Sequence, residues 1–224
     1  MEIQHVKLQT KKLQQMKTFY GELLGFDLQN ESSNSFQICA GISTIEFTIE
    51  NVEGEPFYHF AFDIPANQFN EAKEWLKTKT KLLTENGLDE VFFPFSEAKS
   101  CYFEDPSGNI LEFIARFNNN PISETPFSAS SIQKISEMSL VVPDASLTAE
   151  QLAEIGITER NHSIILNDSL NFMSDQTTKV YLLLVGTGRI WFFSEKPSKI
   201  FPLTITLDSG HIVGVNEQKQ FFIQ

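Results

Sequence analysis

The sequence predicts an α+β protein of paired βαβββ modules that form a curved mixed sheet, followed by a degenerate, truncated second copy. Three observations point there. Residues 11–24 carry a helical period between strand-like segments, the same order of elements recurs downstream, and the pattern restarts after a polar stretch at 118–131.

Ile3 to Leu8 alternates as a strand. Leu13, Met16, Tyr20 and Leu23 then recur at helical spacing, and Gly25 follows as a stop. Phe26 to Gln29, Ser35 to Ala40 and Thr44 to Glu50 read as three strands separated by Asn, Ser and Gly. The order repeats with a strand at Phe57 to Ile64, a helix over about residues 67–79, and strands near 90–95, 101–104 and 109–116. Leu13, Met16, Phe19 and Tyr20 superpose on Phe69, Ala72, Trp75 and Leu76 with one constant shift of 56 residues. The identities differ, so the repeat is one of pattern.

Residues 118–131 are rich in Asn, Ser and Pro and read as a linker. Residues 1–117 are therefore expected to form one complete domain and 132–224 a second. In the second, ISEMSLVVPD reads as a strand, Leu147 to Ile155 as a helix ending at Gly156, and GRIWFFSEKPSKIFPLTITLDSG as two strands. Only 16 residues follow Asp208, too few for a helix and three strands, so the last module is expected to be truncated.

The 224 residues carry a net charge of −12, which repels nucleic-acid phosphates and anionic lipid and argues against both as partners. No apolar run approaches the roughly 18 residues of a membrane helix, and the start MEIQHVKLQT has no secretory character, so a cytoplasmic protein is expected. Cys39 and Cys101 both fall in strand segments and read as reduced structural thiols.

Alternation assigns faces within the strands. Val6 and Leu8 leave His5 on the opposite face, and Ile45, Phe47 and Ile49 leave Glu46 opposite. In the second module Phe60, Phe62 and Ile64 leave His59, and Leu111 with Phe113 leaves Glu112. A lone His or Glu on a strand is ordinarily a solvated or hydrogen-bonded residue. Here, however, two of the chain's 4 His stand at equivalent repeat positions, each followed by a Glu at the equivalent later position. If modules one and two pair about a pseudo-twofold axis, His5, Glu46, His59 and Glu112 converge on a divalent metal, with Ni²⁺, Zn²⁺, Co²⁺, Mn²⁺ or Fe²⁺ suited to such nitrogen and oxygen donors.

The segments IQHVKL, TIEFTI, YHFAFDI and YFEDPSGNILEFI resemble the ligand-bearing strands of the glyoxalase/bleomycin resistance/dioxygenase (vicinal-oxygen-chelate) superfamily, over essentially all of residues 1–117. In the last segment Asp105-Pro106-Ser107-Gly108 is a turn sequence that returns the chain to present Glu112. The resemblance implies a small-molecule substrate and, for glyoxalase I-type members, a His/Gln, Glu, His, Glu set. That set maps onto His5, Glu46, His59 and Glu112, with Glu46 or Glu112 moving a proton to and from an enediolate. It also admits a homodimer. An extradiol ring-cleaving dioxygenase and a non-catalytic, antibiotic-sequestering protein are the alternatives. Dioxygenases carry a further His before the final strand, and VFFPFSEAKSCYF has none.

Pattern alignment of the second half puts Glu137 opposite His5, Trp191 opposite Glu46, Thr204 opposite His59 and Phe222 opposite Glu112. No second ligand set survives on that alignment, and His162 and His211 fall on loops or the surface. The half is therefore expected to be a structural or substrate-covering remnant.

Overall fold

The β-branched and aromatic runs of the sequence become strands, and their apolar faces close over helices that carry the matching period. The computed structural model describes residues 1–224. The first module is β1 (Ile3–Gln9), helix α1 (Leu13–Lys17), β2 (Leu28–Gln29), β3 (Ser35–Ala40) and β4 (Ser43–Thr48). Helix α1 continues as a π-helical segment, Thr18–Leu24, and Gly25 ends it at φ 80°, the left-handed cap that a helix stop requires. The second module is β5 (His59–Asp63), α2 (Phe69–Lys77), β6 (Val91–Phe93), β7 (Ala98–Glu104) and β8 (Ile110–Arg116).

The third comprises β9 (Lys134–Val141), α3 (Ala145–Glu154), β10 (Thr158–Glu159), β11 (Asn171–Ser174) and β12 (Tyr181–Val185). The fourth is reduced to β13 (Leu203–Leu207), β14 (Ile212–Val215) and β15 (Phe221–Ile223), an antiparallel meander with no helix. GRIWFFSEKPSKIFPLTITLDSG, expected to give two strands, supplies only β13. Residues 189–198 instead fold back on themselves, and the last strand of module three lies earlier, at Tyr181–Val185.

The modules pair differently from the sequence expectation. One sheet runs β15-β14-β13-β1-β4-β3-β2 and the other β10-β11-β12-β9-β5-β8-β7-β6. Module one therefore shares a sheet with module four, through antiparallel β1 and β13, and module two shares one with module three, through antiparallel β5 and β9. The sheets do not divide at 118–131, which connects β8 to β9 within a single sheet and contributes only a 3-10 turn at Ala129–Ser131. Each module offers the same unpaired first-strand edge, so alternation within a strand carries no information on which module completes it.

A core of 47 buried residues spans both sheets and all three helices. Tyr20 of the π-helical segment stacks on Phe47 at 5.0 Å between ring centroids, and Phe26 meets Phe62 of the other sheet at 5.9 Å. The Ser43 hydroxyl ties the sheets together: it donates to the Ile3 carbonyl (2.7 Å) and accepts from the Ile135 amide (3.0 Å). No helix is long and apolar enough to cross a membrane.

Candidate metal centre

The swapped pairing separates the four predicted ligands. His5 and Glu46 lie together in the first sheet, Nε2 to Oε2 3.5 Å, on a partly open face where Lys7 Nζ also reaches Glu46 at 3.3 Å. His59 and Glu112 lie together in the second sheet, Nε2 to Oε2 3.6 Å, almost wholly buried. The third member of that cluster is Glu137 of β9, and donor atoms of His59, Glu112 and Glu137 all lie within 4.8 Å of one another.

Strand register explains the convergence. Ala61 on β5 stands directly between Glu112 of β8 and Glu137 of β9, and His59 is two residues away on the same face. Alanine at the centre leaves space that a larger side chain would fill. In the first sheet Lys7 takes the place of Ala61, between Glu46 and Thr204, and its ammonium pairs with Glu46 at 3.3 Å. Upstream of Glu112, the predicted Asp105–Gly108 turn forms as expected: Gly108 adopts φ 81° and donates to the Asp105 carbonyl at 2.9 Å, while Asp105 Oδ1 accepts from Ser107 and Asn109 amides.

Each donor is held in a defined state. The Nδ1–H of His59 donates to the Ile110 carbonyl at 2.9 Å, which leaves the Nε2 lone pair facing Glu112. Burial lowers the His59 pKa to about 4, so the ring is neutral at pH 7. Burial and, secondarily, the charge of Glu137 push Glu112 up to about 8. Glu137 Oε1 accepts from Arg116 Nη2 at 2.6 Å, and Arg116 Nη1 is paired with Asp63 and bonded to Ser136 Oγ at 3.0 Å.

With Glu112 deprotonated, Asp63, Glu112 and Glu137 against the single guanidinium of Arg116 leave two uncompensated negative charges in a buried site, the excess that holds the Glu112 proton on when no cation is bound. A divalent cation matches that excess, and one neutral imidazole with two carboxylates suits a borderline or hard ion with positions left open. The residues present therefore fit a divalent metal.

Glu137 carried a signal in the sequence, a carboxylate at the repeat position of His5 and His59, but the pairing of modules two and three was needed to see that it completes the second pair. Asp63 and Arg116 carried none, because each reads as an ordinary charged strand residue. Trp191 is not a residue of a last strand: its ring lies 5.1 Å from that of His59, on a segment that crosses the mouth of the site. Phe222 pairs with Gly214 on the outermost strand, one strand removed from Thr204. His162 is exposed on a loop, and His211 sits at the β13–β14 turn.

A family model described as Glyoxalase/Bleomycin resistance protein/Dioxygenase superfamily matches residues 2–113, and one described as Toxoflavin-degrading enzyme matches residues 135–189. No curated protein matches the chain in sequence. Among solved structures, a candidate dioxygenase from Bacillus subtilis subsp. subtilis strain 168 aligns over 100% of this chain and 84% of its own, at 13% identity and a TM-score of 0.59. A glyoxalase family protein from Enterococcus faecalis aligns over 50% of this chain and 96% of its own (23% identity, TM-score 0.42). A lactoylglutathione lyase from Agrobacterium tumefaciens aligns over 50% and 91% (16% identity, TM-score 0.41). The long match over both N-terminal modules and the full-length likeness in fold agree: the chain belongs to the Glyoxalase/Bleomycin resistance protein/Dioxygenase superfamily.

Proposed function

We propose that this chain is a metal-dependent enzyme that degrades a small, planar, oxygen-bearing ring compound, with His59, Glu112 and Glu137 as the metal ligands. The observation that carries the reading is the buried convergence of those three donors around Ala61. The match of module three, which supplies Glu137, to the Toxoflavin-degrading enzyme model supports a degradative reaction on a ring. A bound divalent ion would supply Lewis acidity toward substrate oxygens.

The rest is the work of this chain's own side chains. His59 presents Nε2 as a neutral donor, Arg116 fixes Glu137 from behind, and Glu112 Oε2 accepts and returns a proton. Glu46, which the four-ligand reading made both a ligand and a proton carrier, lies in the other sheet, and the glyoxalase I-type reaction loses that support.

Elemental analysis of protein purified without chelator is expected to give one divalent metal per chain, lost in His59→Ala and Glu137→Gln and retained in His5→Ala and Glu46→Gln. Loaded protein is then assayed with toxoflavin, with catechols under oxygen, and with methylglyoxal plus low-molecular-weight thiols. Consumption of a ring substrate is the expected result. A metal-free parent, or metal lost only in the His5 and Glu46 variants, would overturn the reading, and turnover confined to the methylglyoxal–thiol pair would replace it with the isomerase.

A further inference from the structure

The metal centre has no open route to it: His59, Glu112 and Glu137 are only 6%, 2% and 7% exposed. Part of the cover comes from the segment between β12 and β13. Trp191 lies over His59 with the rings inclined at 42°, and Phe193 stacks on Tyr102 at 4.6 Å and 17°. Both are buried, while Ile190 and Phe192, which alternate with them, face solvent.

This segment is built as a unit. Gly188 N–H donates to the Ser198 carbonyl (2.9 Å), Ser198 N–H to Arg189 (2.7 Å) and Trp191 N–H to Lys196 (3.1 Å), so residues 188–198 satisfy one another across a short hairpin. Polar ties to the body of the protein are few. Lys196 Nζ reaches Glu104 Oε1 at 2.9 Å and the Gly108 carbonyl at 2.7 Å, the Phe193 amide donates to Glu85 at 3.2 Å, and at the foot the buried Ser198 hydroxyl donates to the Gly186 carbonyl at 2.7 Å.

Two features mark a conformation held by those ties. Phe193 sits at φ 55°, left-handed backbone that is strained for an aromatic residue and persists only where surroundings impose it. Gly188, at φ 94°, stands at the foot of the hairpin, where a backbone pivot is least restricted. Beside Trp191 a narrow crevice, lined also by Phe57, Ser139 and Phe201, encloses only ≈ 10 Å³, so nothing of ring size enters past the indole as it stands.

We propose that residues 188–198 are a flap and that the Trp191 indole, in the closed state, holds the place of the substrate, so that the site accepts a planar fused aromatic ring of indole-like size. This rests on the reading of His59, Glu112 and Glu137 as the reaction centre. The indole is the one large ring on the flap that packs against His59. A substrate bound to the metal ligands has to displace it, and a flat ring is the shape the vacated slot fits. Lys196 is the latch, and it lies outside the metal ligands.

The test uses the full chain labelled with 5-fluorotryptophan, whose two resonances are assigned with Trp75→Phe, and quinoxaline-2,3-diol as probe: a planar fused ring with adjacent oxygens. Cyclohexane-1,2-diol is the non-planar control. The planar probe is expected to shift the Trp191 resonance and give it a solvent isotope effect, and Lys196→Ala is expected to tighten probe binding about fivefold by raising the open population. The control should do neither.

Probe binding, measured by equilibrium dialysis, with Trp191 unmoved would overturn the flap, as would failure of the probe to bind both the parent and Lys196→Ala. Metal content of the same samples separates the two readings. Metal retained with Trp191 unmoved removes the flap alone. Trp191 displaced by the probe in a parent that holds no metal keeps the flap and removes the metal.

Discussion

At the scale of single residues, the two charged clusters sit in opposite environments and should respond oppositely to mutation. Arg116 is 2% exposed and joins Asp63 to Glu137, so removing it strands two buried carboxylates. Arg116→Met is expected to cost about 3–5 kcal/mol of unfolding free energy in a urea titration, whereas Lys7→Met on the open face should cost less than about 1 kcal/mol. Equal losses would mean that Arg116 is not the keystone of the site.

Glu112 links stability to pH. Its folded pKa of about 8 stands above the ordinary 4.5, so in metal-free protein the protonated carboxyl contributes stability that is complete below 4.5 and gone once the pH passes about 8. A metal must displace that proton, so metal affinity should rise by about tenfold per pH unit from 6 to 8. Glu112→Gln should lower the affinity and flatten the melting temperature of the metal-free protein over the same range. A metal affinity independent of pH would contradict the assignment.

At the scale of the strand, one position decides whether a sheet can host an ion. Ala61 and Lys7 are repeat equivalents between carboxylate-bearing strands, and Thr204 stands where the other sheet has Glu137. Lys7→Ala combined with Thr204→Glu should therefore install a second site with His5 and Glu46, raising metal content from one to two per chain by elemental analysis. Ala61→Leu should abolish the native site while costing only about 1–3 kcal/mol of overpacking. If the double variant gains no metal, the equivalence of the two sheets is wrong.

The strands and faces behind this reasoning were legible in the sequence, because alternation and the repeat are local properties. His5 with Glu46 and His59 with Glu112 were legible as pairs for the same reason: each pair spans one parallel strand contact inside one module. The partner of each pair was not, since β9 could join β5 only through a contact between modules that no periodicity records. The flap was missed because IWFF has strand composition, yet its backbone turns at Phe193.

At the scale of the whole molecule, the 1–4 and 2–3 pairing makes each half of the chain dependent on the other. Strand β1 at the N-terminus is flanked by β13, with Ile3 opposite Leu207, and β5 is flanked by β9, with Ala61 opposite Glu137. Residues 1–117, which the repeat marks as a self-sufficient domain, would thus expose the edges of both β1 and β5 and lack Glu137. Unpaired, apolar edge strands template aggregation. The fragment 1–117 is expected to be insoluble or molten and to bind no metal at stoichiometric level, whereas co-expression with 118–224 should restore soluble, metal-binding protein, because both sheets then regain their central partners. The shared 47-residue core requires in addition that the intact chain melt in one transition, with probes in either sheet superimposing. Two resolved transitions, or a 1–117 fragment that folds alone and holds a metal through His5, Glu46, His59 and Glu112, would instead restore the consecutive pairing of modules one and two.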